Sequence, residues 1–291
     1  IKEFGADGVR VGLLLSAPAG NDLMFDEELC LQGRNFANKI WNAFRLIQGW
    51  EVADNLPQPQ VAADALEAYQ YVFAQTLVDI EDHFNKFRIS DALMATYKLV
   101  WDEFCSWLLE AIKPGYDSPG DAKTYQAVKK NLEDLLKILH PFMPFLTEDI
   151  WQRLEKRSAL DALVVSQWPA AMEVNHQKVQ EYDTAKALIS GIRTLRKDKN
   201  ISPKEPLSLF LKETDRLPGY SSIITKLAHL HTFETTEAEP ADAFSFRVGA
   251  MACFVPLTES VDTEEEIAKL NEEMKYLEGF LASVQKKLSN E

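Results

Sequence analysis

Residues 33–45 carry the side chains best suited to chemistry in this chain, because amides and cations alternate there with apolar residues at helical spacing. At 100° per residue the segment divides into two faces. The polar face, called the polar arc below, consists of Arg34, Asn35, Asn38, Lys39, Asn42 and Arg45. Solvated helix faces are usually built from Glu, Lys and Gln, since Asn is a weak helix former that competes with its own backbone. Three amides and three cations without an acid favour an anionic partner with hydrogen-bonding edges, and nucleic acid fits that description.

The opposite face of this helix is ordinary core material. Its members are Phe36, Ala37, Ile40, Trp41, Ala43 and Phe44. The polar arc therefore has a second interpretation, as the solvated side of a bundle helix, and composition alone leaves both open. Gly33 is interpreted as permitting a close backbone approach, because a glycine inside a helix otherwise costs about 1 kcal/mol relative to alanine.

Two further groups of charged residues are candidate contact sites. Glu110 and Lys113 follow Trp107 near the end of a predicted helix, where the simple alternative is a local ion pair worth ~0.3 kcal/mol. The second group is basic and comprises Arg193, Arg196, Lys197, Lys199 and Lys204. It suits a phosphate backbone, although cations near a helix C-terminus are also favoured by the helix dipole alone.

No arrangement of side chains predicts catalysis or metal binding. His229 and His231 flank a single residue without further ligands nearby in sequence, and the paired acids have no nucleophile or base partner. Cys30, Cys105 and Cys253 are far apart in apolar surroundings, which indicates buried, reduced thiols. We expect a binding module without a cofactor.

The chain is acidic, with a formal net charge of −14 over 291 residues. The acids concentrate in residues 51–170, where 19 acids stand against 11 bases. A nucleic acid would therefore have to bind local basic faces. There is no apolar run of membrane-spanning length and no signal-like segment at the start, so we expect a cytoplasmic protein without a membrane partner.

Capping residues and apolar spacing predict a bundle of antiparallel helices. Asp26 is the expected N-cap of the helix that carries the polar arc, with Phe25 packing on Cys30. Ser90 is the expected cap of a later helix that ends before Pro114. The other helices of the bundle are expected over residues 62–84, 121–139 and 147–156.

Residues 139–151 are expected to be architectural. Pro141 and Pro144 break the helix and force a corner, and His140 is expected to satisfy a backbone group. The aromatic residues expected in the core are Phe142, Phe145 and Trp151.

After residue 160 the pattern changes to that of a small α+β domain. Residues 164–166 are strand-like. Helices are expected over 181–197 and 221–228, and strands over 206–211, 230–234, 244–248 and 251–256. From residue 263 a heptad stripe follows, formed by Ile267, Leu270, Met274, Leu277, Leu281, Val284 and Leu288. A single helix cannot bury such a stripe by itself, so it needs a partner.

These motifs resemble bacterial valyl-tRNA synthetases, which are class I enzymes, from the anticodon-binding domain onward and over nearly the whole chain. The resemblance is carried by residues 4–10, 16–18, 20–22, 33–45, 107–114 and 139–151. The order Asn38-Lys39-Ile40-Trp41-Asn42 and the heptad-bearing tail favour valine enzymes over isoleucine enzymes, which tend to carry a Cys-based zinc module.

The resemblance implies a fold that is mainly α: an antiparallel helix bundle of the class I synthetase anticodon-binding type, a small α+β domain and a coiled-coil helix. It implies a connection from a catalytic domain over residues 1–22, the bundle over 23–160, the α+β domain over 161–260 and a truncated coiled-coil arm over 261–291.

The resemblance also implies site residues. It places the polar arc and Leu46 near the anticodon loop of valine tRNA. It places Glu110 and Lys113 beside the anticodon, where a carboxylate accepts from an exocyclic amine. Contacts with the tRNA backbone are expected from Arg193, Arg196, Lys197 and Lys199.

The implied function is to hold valine tRNA so that a class I catalytic domain, absent from this chain, can attach valine with ATP and magnesium. The chain opens on Ile1 and lacks the ATP-binding signature motifs, so we expect a catalytically inactive fragment of a monomeric parent. The expected partners are valine tRNA, the remainder of the synthetase and, through the truncated coil, another copy. The alternatives are a helical protein-interaction module with an exposed coiled-coil stripe, or the equivalent part of an isoleucyl-tRNA synthetase.

Overall fold

The computed structural model describes residues 1–17, 25–158, 160–170, 172–212, 219–240, 242–256 and 274–281. The chain forms two compact units, Ile1–Lys186 with Pro218–Leu227, and Ala187–Leu217 with Ala228–Glu291. The first unit is helical apart from two short paired strands, β1 (Val52–Ala53) and β2 (Gly120–Asp121), and the second contains a four-stranded sheet. The expected mainly α fold is confirmed, and the boundaries expected at residues 22, 160 and 260 stay predictions.

The first unit is built from helices that match the predicted ones to within a few residues. They are α1 (Gly5–Leu15), α2 (Glu27–Gln48), α3 (Gln60–Asn85), α4 (Ile89–Lys98), α5 (Leu109–Ile112), α6 (Ala122–Leu139) and α7 (Pro144–Leu154). Helix α8 (His176–Asp198) passes from the first unit into the second, and α9 (Ser221–Leu227) belongs to the first. Large side chains fill the core of this unit, among them Phe36, Tyr69, Phe104 and Phe142.

Helix α4 continues into α5 through a π-helical segment, Leu99–Leu108, that the sequence did not predict. The Ser106 hydroxyl donates a hydrogen bond to the Trp101 carbonyl oxygen, 2.8 Å away. Long π-helical segments are uncommon, and their wider turns rotate the following residues about the helix axis. The direction in which Glu110 projects from α5 therefore depends on this segment.

Ser90 is not the cap of α4, so that prediction was wrong. The N-cap position belongs to Arg88, which makes no side-chain capping bond. The Ser90 hydroxyl instead lies within hydrogen-bonding distance of the carbonyl oxygens of Leu14 and Ala17. This contact ties α4 to the end of α1. Local sequence cannot reveal it, because both acceptors lie more than 70 positions away from Ser90.

The two prolines between α6 and α7 form the expected corner, and α1 holds it in place. Arg10 donates hydrogen bonds to the carbonyl oxygens of Pro141 and Phe142, at 3.1 and 3.2 Å. Two expectations for this corner were wrong. His140 pairs through Nδ1 with the Thr147 hydroxyl at 2.8 Å rather than with the backbone, and Phe145 is 66% exposed. Phe145 occupies the first turn of α7, on the solvent side.

The second unit packs α8 on a mixed sheet. Its strands are β3 (Leu207–Lys212), β4 (Leu230–Thr236), β5 (Ala243–Val248) and β6 (Met251–Pro256), in the order β4-β3-β6-β5. Strands β3 and β4 are parallel, and β6 is antiparallel to β3 and β5. A Cβ at Gly191 of α8 would lie 2.5 Å from the Phe246 ring, so glycine allows the helix to approach β5 closely.

Residues Leu163–Val165 form a 3₁₀ turn, and the strand expected at 164–166 was wrong. Val164 and Val165 are 70% and 71% exposed, and neither sheet among the described residues includes them. A β-branched pair alone does not make a strand without a neighbouring strand to pair with.

Only part of the heptad stripe is described. Residues 274–281 are helical, and Met274, Leu277 and Leu281 are 54%, 53% and 57% exposed. The positions that lie outside the described residues are Ile267, Leu270, Val284 and Leu288.

Candidate nucleic-acid interface

Helix α2 is positioned by an unusually close crossing with α1. A Cβ at Gly33 would lie 2.5 Å from the Gly8 carbonyl oxygen, and a Cβ at Gly12 would lie 2.5 Å from Cys30 Sγ. The close backbone approach expected at Gly33 is thus an approach to α1. At the start of α2, Asp26 accepts a hydrogen bond from Glu28 N at 2.8 Å, so the predicted N-cap is confirmed. Phe25 is 54% exposed and Cys30 is fully buried, and the packing expected between them stays a prediction.

The two predicted faces of α2 are separated in the structure as the spacing requires. Phe36, Ile40, Phe44 and Ile47 are buried in the core of the bundle. The exposed residues of the other face are Arg34, Asn35, Asn38, Asn42, Arg45 and Leu46. Three amides and two guanidinium groups therefore share one accessible surface along more than two helical turns.

Lys39 differs from the rest of the polar arc, because it is half-buried. Its Nζ lies 5.1 Å from the Trp101 ring centroid, and the Trp101 ring stacks on Tyr97 at 5.5 Å. Cation–π contact of this kind contributes about 0.5–1 kcal/mol at an exposed site. Burial raises the pKa of the nearby Cys105 thiol to about 11, and the charge of Lys39 opposes that rise. Lys39 thus has a packing role in addition to its position on the arc.

The end of α2 and the end of α5 meet at an open groove of about 450 Å³. Its lining combines Leu46 and the Gly49–Glu51 segment with residues 113–118. Two short strands fasten these segments together: β1 (Val52–Ala53) pairs in parallel with β2 (Gly120–Asp121). The Gly120 N–H also donates to the Glu51 carbonyl oxygen at 2.8 Å. Leu46 and Lys113, far apart in sequence, consequently line one surface.

A tight turn displays Tyr116 at the rim of this groove. The Ser118 N–H donates to the Gly115 carbonyl oxygen at 3.1 Å, and Asp117 takes a left-handed conformation with φ of 54°. Tyr116, between them, is 95% exposed. No motif of the sequence points to Tyr116. The available signal was an aromatic side chain among turn-forming residues next to Lys113.

Glu110 and Lys113 form the local ion pair, with Nζ and Oε2 2.6 Å apart and both side chains 46% exposed. At that exposure the pair contributes little to stability. A third charge, Lys226, lies on α9, which packs against α5. Partial burial lowers the pKa of the Lys226 ammonium group, Lys113 lowers it further, and Glu110 opposes the shift. Nothing in the sequence linked Lys226 to this place, because α9 follows α5 by more than a hundred residues.

The basic group on α8 separates into different environments. Arg193 and Lys197 are exposed, and Lys199 Nζ lies 5.0 Å from the Phe244 ring centroid. Arg196 is only 6% exposed and donates to the carbonyl oxygens of Ser202, Ala228 and His229 at 2.8, 3.1 and 3.3 Å. Its guanidinium group is occupied by the fold of the second unit. We therefore exclude Arg196 from the residues that can contact a phosphate.

Within the described ranges, no group of three His, Cys, Asp or Glu side chains is arranged to hold a metal ion. No described helix is both long and apolar enough to cross a bilayer. The three cysteines are buried as thiols. The candidate site is a surface of amides, cations and exposed apolar side chains.

Comparison with known proteins identifies relatives of the whole chain. Residues 70–211 match the model of the anticodon-binding domain of tRNA ligase. That range includes Glu110, Lys113 and the basic group on α8, and it begins after α2. One solved structure, the ternary complex of Agrobacterium radiobacter K84 agnB2 LeuRS with tRNA and LeuAMS, aligns at a TM-score of 0.41 and 18% identity over 61% of this chain and 20% of that one.

Valine–tRNA ligases align with every part of the chain. The protein of Christiangramia forsetii is 50% identical over 292 residues, that of Phocaeicola vulgatus 49% over 291, and that of Fusobacterium nucleatum 32% over 313. Each alignment covers 100% of this chain, but only 33%, 33% and 35% of the respective relative. Over its whole length the chain is thus similar to a segment that makes up about one third of the length of these bacterial valine–tRNA ligases, and its residues 70–211 match the anticodon-binding domain of tRNA ligases.

Proposed function

We propose that the chain is the tRNA-binding part of a valine–tRNA ligase and that it contacts the anticodon loop of valine tRNA. The observation that carries this proposal is the groove at the ends of α2 and α5. Leu46 and Lys113 line it together, although they belong to stretches of the sequence that are far apart. A shared surface is what a single RNA loop requires.

The chemistry of the polar arc suits a loop of unstacked bases. Asn35, Asn38 and Asn42 are exposed, so that each amide can donate to and accept from a base edge. Arg34 and Arg45 are exposed beside them and can meet phosphates. Proteins that recognise RNA by sequence mostly target single-stranded loops whose bases are splayed out. Glu110 and Lys113 extend the same surface at the other side of the groove.

The second unit carries a separate proposed contact with the tRNA backbone. Arg193 and Lys197 are exposed on the last turns of α8, and Lys199 follows the helix. Cations placed there would add sequence-independent, salt-sensitive affinity. Arg196 is left out of this proposed contact, because it is buried and both of its terminal nitrogens donate to carbonyl oxygens of the fold.

We infer the role of the whole protein from its relatives. In the proposed parent, a cytoplasmic monomer, a class I catalytic domain uses ATP and magnesium to attach valine to tRNA. Residues 1–22 would connect that domain to the bundle of 23–160, followed by the α+β domain of 161–260 and the coiled-coil arm of 261–291. The remainder of the synthetase is then the partner of this chain within one polypeptide.

Binding of valine tRNA across a series of salt concentrations tests the proposal. We expect the purified chain to bind valine tRNA more tightly than a tRNA of the same body with an exchanged anticodon. Asn42→Ala should reduce that preference, whereas Asn55→Ala, an exposed amide in the loop after α2, should not. Equal binding of both tRNAs would exclude anticodon recognition. A preference for isoleucine tRNA would assign the chain to the isoleucine enzymes.

The second candidate function is a helical protein-interaction module. It is favoured by the apolar side chains of Met274, Leu277 and Leu281, each more than half exposed on residues 274–281. The module would be supported if the chain binds no tRNA at low salt but associates with itself or with another protein through this stripe.

A further inference from the structure

We infer that the groove beside Tyr116 is a subsite for one nucleotide, in which Tyr116 stacks on an unpaired base while Lys113 and Lys226 face its phosphate. The inference rests on the proposed function and adds to it two residues, Tyr116 and Lys226, that neither the motifs nor the comparisons assign.

The exposure of Tyr116 is the first argument. A phenol ring that is 95% exposed gains nothing from the core of the protein, and large aromatic side chains are normally at least partly covered. The turn that contains Tyr116 is closed by the Ser118 N–H and fastened to α2 through the β1–β2 pair. The ring is therefore presented by an anchored segment. Exposed aromatic rings of this kind are the platforms on which proteins stack single-stranded bases.

The groove has the composition that a base needs. Leu46 is 42% exposed at its wall, and Gly49 and Gly115 contribute no side chains that would fill it. Its volume of about 450 Å³ exceeds that of a nucleobase. Glu51 and Asp117 also line it and would repel a phosphate placed inside. Carboxylates accept hydrogen bonds from exocyclic amines, so the groove suits a base and the phosphate belongs outside it.

The two lysines provide the site for that phosphate. Lys113 is on the groove lining, and Lys226 lies on α9, which packs against α5, so the positive charge of Lys113 lowers the pKa of the Lys226 ammonium group. Both are in the first unit of the fold. Glu110 pairs with Lys113, and among the residues that the structure describes no carboxylate forms an ion pair with Lys226. An added anion between the two ammonium groups would relieve their repulsion.

Stacking provides the sharpest test, because it has a spectroscopic signal. The probe is an anticodon stem-loop RNA of valine tRNA with 2-aminopurine at one anticodon position in turn, bound to the full chain. We expect quenching at one position. Tyr116→Ala should abolish that quenching and weaken binding about fivefold or more, since a stacked base contributes about 1–3 kcal/mol. Tyr116→Phe should keep both the quenching and the affinity, because the phenylalanine ring can still stack on the base.

The matched control is Phe87→Ala. Phe87 is 84% exposed and precedes α4, at the far end of the helix that leads to Lys113. This substitution should change neither quenching nor affinity. Lys226→Ala should lower the slope of log Kd against log salt by about 0.7, as expected when one contact with a single-stranded phosphate is lost, while exposed Lys2→Ala should leave the slope unchanged.

The outcomes separate this inference from the proposed function. If the unaltered chain prefers the correct anticodon but Tyr116→Ala behaves like Phe87→Ala, the subsite is wrong and the function stands. The subsite is also wrong, and the function stands, if Tyr116→Phe loses as much quenching and affinity as Tyr116→Ala at an unchanged melting temperature. If the unaltered chain shows no anticodon preference, both are overturned.

Discussion

The Asp7 carboxylate accepts a hydrogen bond from the backbone N–H of Leu146 at 2.7 Å, across 139 positions of sequence, and a longer one from Phe145. Helix α7 begins at Pro144, and its own N-cap residue, Met143, supplies no side-chain acceptor. Asp7 therefore caps α7 from α1, which also carries Gly8, the residue in contact with α2. One short helix thus fixes both the proline corner and the helix that bears the polar arc.

Removing this cap should destabilise the bundle. Asp7→Ala leaves two N–H groups of α7 without their acceptor in a place that water reaches poorly, and we expect a loss of about 1–3 kcal/mol in the free energy of unfolding. Asp7→Asn keeps one oxygen and should lose less. Chemical denaturation measures both, with Asp26→Ala, at the exposed cap of α2, as the comparison. A melting curve of Asp7→Ala that matches the unaltered protein would contradict the capping role.

The ionisation of Asp7 predicts a pH dependence. Burial raises the pKa of its carboxyl above the ordinary value of 3.8, although the N–H groups of Leu146 and Phe145 lower it. Because the folded state then holds the proton more firmly than the unfolded state, stability falls as pH rises from 3.8 through the folded pKa and is constant above it. We expect the stability of the unaltered protein relative to Asp7→Asn to decline over that window. A relative stability that rises with pH there would mean that the two hydrogen bonds outweigh burial.

The crossing of α1 and α2 predicts that alanine is harmful where helix propensity alone favours it. Gly33→Ala should gain up to about 1 kcal/mol from propensity. Its Cβ, however, would meet the backbone of Gly8 at 2.5 Å, and forced overpacking costs about 1–3 kcal/mol. We expect a net loss of stability and a displaced α2. Gly115→Ala is the control, since the nearest atom to its Cβ is Ser118 Oγ at 3.6 Å. A stabilised Gly33→Ala protein would show that the helices separate without cost.

Sequence periodicity was sufficient for the helices and for the two faces of α2, because both depend on local spacing. It failed where the decisive partner is distant. Local sequence predicts a cap at Ser90, whose hydroxyl instead bonds to the end of α1, and a backbone partner for His140, which instead pairs with Thr147. Spacing alone groups Arg196 with its basic neighbours, although its three acceptors come from later loops. Lys226 joins Lys113 only through the packing of α9, for which no motif exists.

The polar arc predicts different outcomes for two of its members. Asn42 is exposed and makes no contribution to the core, so Asn42→Ala should weaken binding of valine tRNA about fivefold or more at an unchanged melting temperature. Lys39 also packs on Trp101, so Lys39→Ala should weaken binding and lower stability by about 0.5–1 kcal/mol. Binding titrations and thermal melts on the same samples separate the two effects. A large loss of stability in Asn42→Ala would mean that the face is structural.

Arg196 and Lys197 are adjacent, yet opposite results are expected for them. Burial lowers the pKa of the Arg196 guanidinium group without removing its charge, and its removal leaves three carbonyl oxygens without their donors. Arg196→Ala should therefore cost about 2 kcal/mol or more in stability. Lys197 is exposed, so Lys197→Ala should leave stability within about 0.5 kcal/mol and reduce the salt slope of tRNA binding by about 0.7–0.9. Measured with one tRNA across salt, an unchanged slope for Lys197→Ala would remove it from the proposed backbone contact. A stable, folded Arg196→Ala protein with a reduced slope would return Arg196 to that contact.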